Sequence, residues 1–171
     1  MAALPPGFTP VTDADIVVMT EQLGRPPRGV VAVARRCRCG APIVVQTSPR
    51  LPDGTPFPTT YYLTHPGATA AVSRLEAAGA MREYNAALVG DAALTAAYQS
   101  AHLAYLADRN RLGDVPEIAG VSAGGMPERV KCLHALVAHE LARPGTNPIG
   151  VDALANMAGE WSPDRCDCGK V

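Results

Sequence analysis

The chain has 171 residues, a formal net charge of −1, and 47% hydrophobic but only 5% aromatic residues. That length suits one domain spanning 1–171, with a core filled by alanine, valine and leucine rather than by rings. The near-neutral balance argues against a general nucleic-acid binder, and no apolar run approaches the roughly 20 residues of a membrane span.

The opening MAALPPGFTP lacks the basic start and apolar stretch of a secretory signal, so a cytoplasmic location is expected. Thiols stay reduced there. Five cysteines, an odd number, then favour metal binding over a disulfide framework.

Thr12 is the expected N-cap of a first helix, with Asp15 three residues on and Val11 set to staple against Ile16. That helix should stop near Gly24, before Pro26 and Pro27. Residues 29–36 and 42–47 are valine-rich runs bridged by CRCGA, a β-hairpin with Cys37 and Cys39 at its turn. A proline-rich loop with an Asp53-Gly54 turn leads to a third strand, TTYYLT, over 59–64. Pro66 opens a helix that Gly79 stops, and a short helix over 81–88 follows. Asp91 caps a longer one, with Leu94, Tyr98, Ala101 and Tyr105 on one face. Pro127 is expected to open the last major helix, to about Ala142, and RPGTNPIG to close it. A short helix over 151–158 then precedes a loose tail from about 160 to 171. Strands early and helices afterwards predict an α+β fold: a small antiparallel three-stranded sheet packed by a mainly helical C-terminal two-thirds.

In three stretches, PRLPDGTPFPTTYYLTHP, SAGGMPERVKCLHALVAHELA and NPIG, the chain resembles a bacterial family known only as domain of unknown function 501. The resemblance covers most of the chain and implies no activity. It implies a gene neighbourhood with enolase, a septum-formation coiled-coil protein and an exopolyphosphatase, and so a protein partner in cell division or envelope growth. At His65 the family pattern usually carries cysteine. Both residues are zinc ligands, so the exchange favours a metal over a disulfide.

In a meander the first and third strands run the same way, which brings Cys37 and Cys39 near His65. On a helix starting at Pro127, Val130, Leu133, Val137 and Leu141 share one face, with Cys132 and His139 opposite. Cys132 and His139 are about 10.5 Å apart along such a helix, and Cys132 and His134 point about 160° apart, so it supplies one ligand at most. The expected site is therefore a Cys₃His zinc of Cys37, Cys39, His65 and Cys132, structural because mainly thiolate and closed. Packed reduced thiols and a redox pair are the alternatives. Cys166 and Cys168 stand in reserve on a tail expected to be dispensable. His102 reads as a packed or surface residue, His134 as a margin residue and His139 as solvated.

GVSAG, residues 120–124, matches the nucleophile-elbow pattern around Ser122 but lacks the strand before it and a histidine from a later loop. SAGGMPERVK is a better candidate: free N–H groups of a helix start at Gly124 and Gly125, with Arg129, Lys131 and Arg50 adding charge, suit an anion. The leading expectation is a non-enzymatic, zinc-stabilised binding domain. The alternative is an enzyme or sensor for a phosphorylated small molecule at the Gly124-Gly125 turn.

Overall fold

The computed structural model describes residues 4–166 and 168. Helix α1 (Asp13–Leu23) starts at Thr12, whose side chain accepts from the Asp15 N–H while Asp15 caps the Thr12 N–H in return. Three antiparallel strands follow: β1 (Val30–Arg36), β2 (Pro42–Thr47) and β3 (Tyr61–Leu63), in the order β1-β2-β3. Strand β3 is shorter than the β-branched run suggests. The Thr60 N–H, just outside it, goes to the Tyr105 hydroxyl instead of the ladder.

The helices come next: α2 (Pro66–Ala77), α3 (Ala80–Gly90), α4 (Ala92–Asn110), α5 (Leu133–Ala142) and α6 (Pro148–Met157), with a 3₁₀ turn over Pro116–Ile118. The fold is α+β, with the antiparallel sheet early and the helices mostly after it.

Both faces of the sheet are covered, which is why every residue of β2 is buried. Met19 of α1 packs with Val33 and Val45 on one face. Ala32, Ala34, Val44, Tyr61 and Leu63 join the helices in the main core on the other. Helix α5 lies at the centre, against β3, α2 and α6. Eight of its ten residues are buried. Gly150 is what lets α6 approach it: a Cβ there would sit 2.5 Å from the Leu136 carbonyl oxygen.

Two expectations about this region fail. Helix α5 starts at Leu133, not Pro127, because the Arg129, Lys131 and Cys132 N–H groups turn back to the carbonyls of Gly125 and Gly124, whose left-handed φ values of 92° and 70° shape that loop, and Cys132 is extended. His139 is not solvated. It is fully buried, stacked on Tyr61 at 5.7 Å and edge-on to Tyr105 at 5.0 Å. The other face of α5, opposite the apolar stripe, is also covered. Helix α6 begins at Pro148, earlier than expected, with Asn147 accepting the Gly150 N–H as its cap.

Candidate functional site

The hairpin turn is built to display its cysteines. The Cys37 N–H bonds the Ala41 carbonyl and the Gly40 N–H returns to Cys37, with Gly40 at φ 93°. Arg36 pins the turn from below. Its guanidinium reaches both Asp15 oxygens (2.6 and 2.9 Å), the Thr9 hydroxyl and the Gly40 carbonyl. That pairing holds the Asp15 carboxyl well below the usual carboxylate range.

The described part of the tail is anchored onto this hairpin. Trp161 is 2% exposed and packs on the His65 ring, 5.5 Å between centroids. Asp164 pairs with Arg35 at 3.6 Å, and its carbonyl accepts from Arg38. From there Cys166 and Cys168 reach the hairpin. The sulfurs of Cys37, Cys39, Cys166 and Cys168 all lie within 4.8 Å of one another, and none is in a disulfide. Cys168 is 3.5 Å from Cys37. Thiolates at 2.3 Å around a tetrahedral zinc would be about 3.8 Å apart, so the cluster fits such an ion with small adjustment. The Ala41 amide lowers the Cys39 thiol to about 7, while burial raises Cys37 and Cys168.

Of the four expected ligands, Cys37 and Cys39 belong to this cluster and Cys132 does not. His65 stands at its edge. Its Nδ1 accepts from the Gly67 and Ala68 N–H groups as the N-cap of α2, which leaves the proton on Nε2. Nε2 is 3.2 Å from the Cys168 sulfur. The histidine therefore donates to the Cys168 sulfur, where it could orient that side chain if the cluster held an ion. The tail cysteines fill the places expected for His65 and Cys132. The C-x-C spelling is the same at both ends of the chain, and that repetition was the available signal.

Cys132 lies in a second group with Glu76 and His134, the donor atoms again within 4.8 Å. The expected 160° divergence assumed a helical Cys132. In fact it is the extended N-cap residue of α5, φ −149° and ψ 111°, so its side chain and that of His134 fall together. Glu76 Oε1 accepts the Leu133 N–H at 2.7 Å and lies 3.3 Å from His134 Nδ1. The imidazole beside Cys132 lowers its thiol pKa, and the thiol in turn raises that of His134. Both residues line a cleft of about 710 Å³ bounded by Leu23 of α1, Tyr62 and Leu63 of β3, and Thr69 and Ala70 of α2.

The helix start on which an anion site at Gly124 and Gly125 was expected lies at Leu133 instead. The N–H groups of Met126, Arg129, Lys131 and Cys132 bond carbonyls of the same loop. A carboxylate, Glu76, already sits at the start of α5. Arg50 is committed to both Glu117 oxygens and the Gly54 carbonyl. Ser122 is held by His102 Nδ1 at 2.9 Å, both buried, within a loop whose carbonyls at 118 and 121 accept from the buried Arg109. The element that leads into it is the 3₁₀ turn over Pro116–Ile118, not a strand.

Among the described residues no helix is long and apolar enough to cross a membrane. No curated protein and no solved structure matches the chain. A family profile described as "Protein of unknown function (DUF501)" matches residues 33–155, a span that holds the hairpin cysteines, His65, Glu76, Cys132 and His134 and stops before Cys166. On that match, which covers most of its length, the chain belongs to the DUF501 family.

Proposed function

We propose that the protein is a zinc-stapled cytoplasmic binding domain. Cys37, Cys39, Cys166 and Cys168 hold one ion, and the cleft between α1, β3, α2 and α5 is the seat for its ligand. The observation that carries the reading is the convergence of four thiols from two ends of the chain within 4.8 Å. Four thiolates leave no coordination position for water or substrate, so such a site is structural. It fastens the C-terminal segment over the hairpin, and a reducing compartment suits it. The two excess negative charges of a zinc tetrathiolate would be offset by Arg35 and Arg38, both already turned to that segment.

The cleft, at about 710 Å³, has the size of a small-molecule site. Its lining includes no Lys, Arg, Asp or Glu, so the ligand class is neutral and largely apolar rather than phosphorylated.

Native mass spectrometry with elemental analysis, on protein purified without chelator, tests both parts. One zinc per chain is expected, lost in Cys37→Ser and Cys168→Ser and kept in Cys132→Ser. Metal-free wild type, or loss of the metal in Cys132→Ser, would refute the staple. A retained or titratable apolar ligand displaced by Ala70→Trp supports the cleft, and a ligand indifferent to that change removes it.

A further inference from the structure

We propose that Cys132 is a covalent nucleophile, activated by His134 with Glu76 positioning the imidazole, for a neutral ligand bearing an electrophilic acyl carbon. Three observations support it. A thiol, an imidazole and a carboxylate converge within 4.8 Å, the arrangement in which a base takes the thiol proton and a third group holds the base. Cys132 and His134 both line the cleft, so the pair borders the place where a ligand fits. The sulfur also sits at the N-terminus of α5, where the aligned peptide dipoles favour a thiolate.

Glu76 holds the assembly together. The same oxygen takes the Leu133 N–H and faces His134 Nδ1, so one carboxylate fixes both the start of α5 and the ring. Ser73 Oγ lies 3.3 Å from the other ring nitrogen. Ser73 is exposed and does not line the cleft, which leaves the cysteine as the nucleophile.

The step is redox-neutral. With Nδ1–H held by Glu76, the Sγ proton passes to His134 Nε2 as the exposed Ser73 hydroxyl turns away from it, and the thiolate attacks the carbonyl carbon. A C–S bond forms as the bond to the leaving group breaks, and the leaving group departs with the proton from His134. The product is a thioester on Cys132, open to water or an amine. The seat of the acyl group rests on the cleft reading above, but the reactivity of the thiol is measurable without it.

The test uses the zinc-loaded full chain. Cys132 should be alkylated by iodoacetamide at neutral pH about tenfold faster in the wild type than in His134→Gln, since an ordinary thiol is only about 3% thiolate there. The rate profile of the variant should shift to higher pH. Glu76→Gln, which keeps an acceptor for the Leu133 N–H, should show a smaller slowing and serves if His134→Gln misfolds. Ser73→Ala should react as the wild type. With 4-nitrophenyl butyrate, a burst of one nitrophenolate per chain and a butyryl adduct on Cys132 are expected, both absent from Cys132→Ser. Equal alkylation rates in wild type, His134→Gln and Glu76→Gln would overturn the proposal. So would a Cys132 that reacts only after chelation, because that thiolate is a metal ligand, or one that alkylates readily and takes no acyl group. Zinc retained by Cys132→Ser keeps this outcome separate from the fate of the staple.

Discussion

Acid should expose the cost of burying His139. The ring is fully buried between Tyr61 and Tyr105. Its Nδ1 is 3.3 Å from the Asn147 side-chain nitrogen, so Nδ1 accepts and the proton sits on Nε2, which has no partner. Burial, with Arg143 adding repulsion, lowers the pKa from 6.5 to about 4. The folded chain thus keeps a neutral ring, while the unfolded chain protonates below about 6.5. The stabilisation is complete above that pH and declines as pH falls toward about 4. Its full extent is about 3 kcal/mol, of which about 2 kcal/mol is gone by pH 5.

Urea unfolding at about pH 7.5 and about pH 5, on wild type and His139→Phe, measures it. The phenyl ring keeps the aromatic packing, and Asn147 Nδ2 still faces the Met126 sulfur at 3.4 Å. Because only the difference between two pH values is compared, any fixed packing cost of the variant cancels. Acid release of a metal, common to both proteins, cancels too. The wild type should lose about 2 kcal/mol more than the variant. Equal losses would show that His139 titrates normally and that its neutral burial is misread.

Gly150→Ala should destabilise by about 1–3 kcal/mol despite alanine's better helix propensity, since the new Cβ meets the Leu136 carbonyl at 2.5 Å and Glu140 Cβ at 2.6 Å. A lower urea midpoint with unchanged slope checks this, and a midpoint at or above wild type refutes it. Trp161→Ala should cost about 3–5 kcal/mol as a buried aromatic truncation, at the low end because its Nε1 is already unpaired. It should also weaken zinc on the order of tenfold in a chelator competition, because the tail cysteines lose the anchor that keeps them at high local concentration. Unchanged zinc affinity would show that Trp161 does not set their position.

Much of the local structure is legible from short-range chemistry. The Thr12–Asp15 capping box and the Asp91 cap mark their helices, and both appear where their spacing puts them. The two valine runs on either side of CRCGA pair as a hairpin with the cysteines at its turn. Such signals act within one turn of chain, where a side chain and a backbone group are neighbours whatever the rest of the molecule does. The start of α5 departs from its local signal for a related reason. Proline favours a first helical position, but two left-handed glycines and the loop bonds they permit delay the helix to Leu133.

By itself, then, the sequence determined the α+β class, the order of the elements and the presence of a thiol pair at the hairpin turn, all from local patterns. Only the tertiary structure decided which thiols meet. Cys37 and Cys168 are 131 positions apart, and it is Trp161, seated on His65, that brings the tail to the hairpin. His139 was likewise invisible. A helix covered on all sides has no polar face to read, and α5 is covered by the sheet, α2 and α6. The grouping of Cys132 with His134 and Glu76 depends on an extended residue before that helix and a carboxylate from α2. Neither is encoded in spacing, because backbone conformation at a helix boundary and the approach of a distant helix are settled by packing.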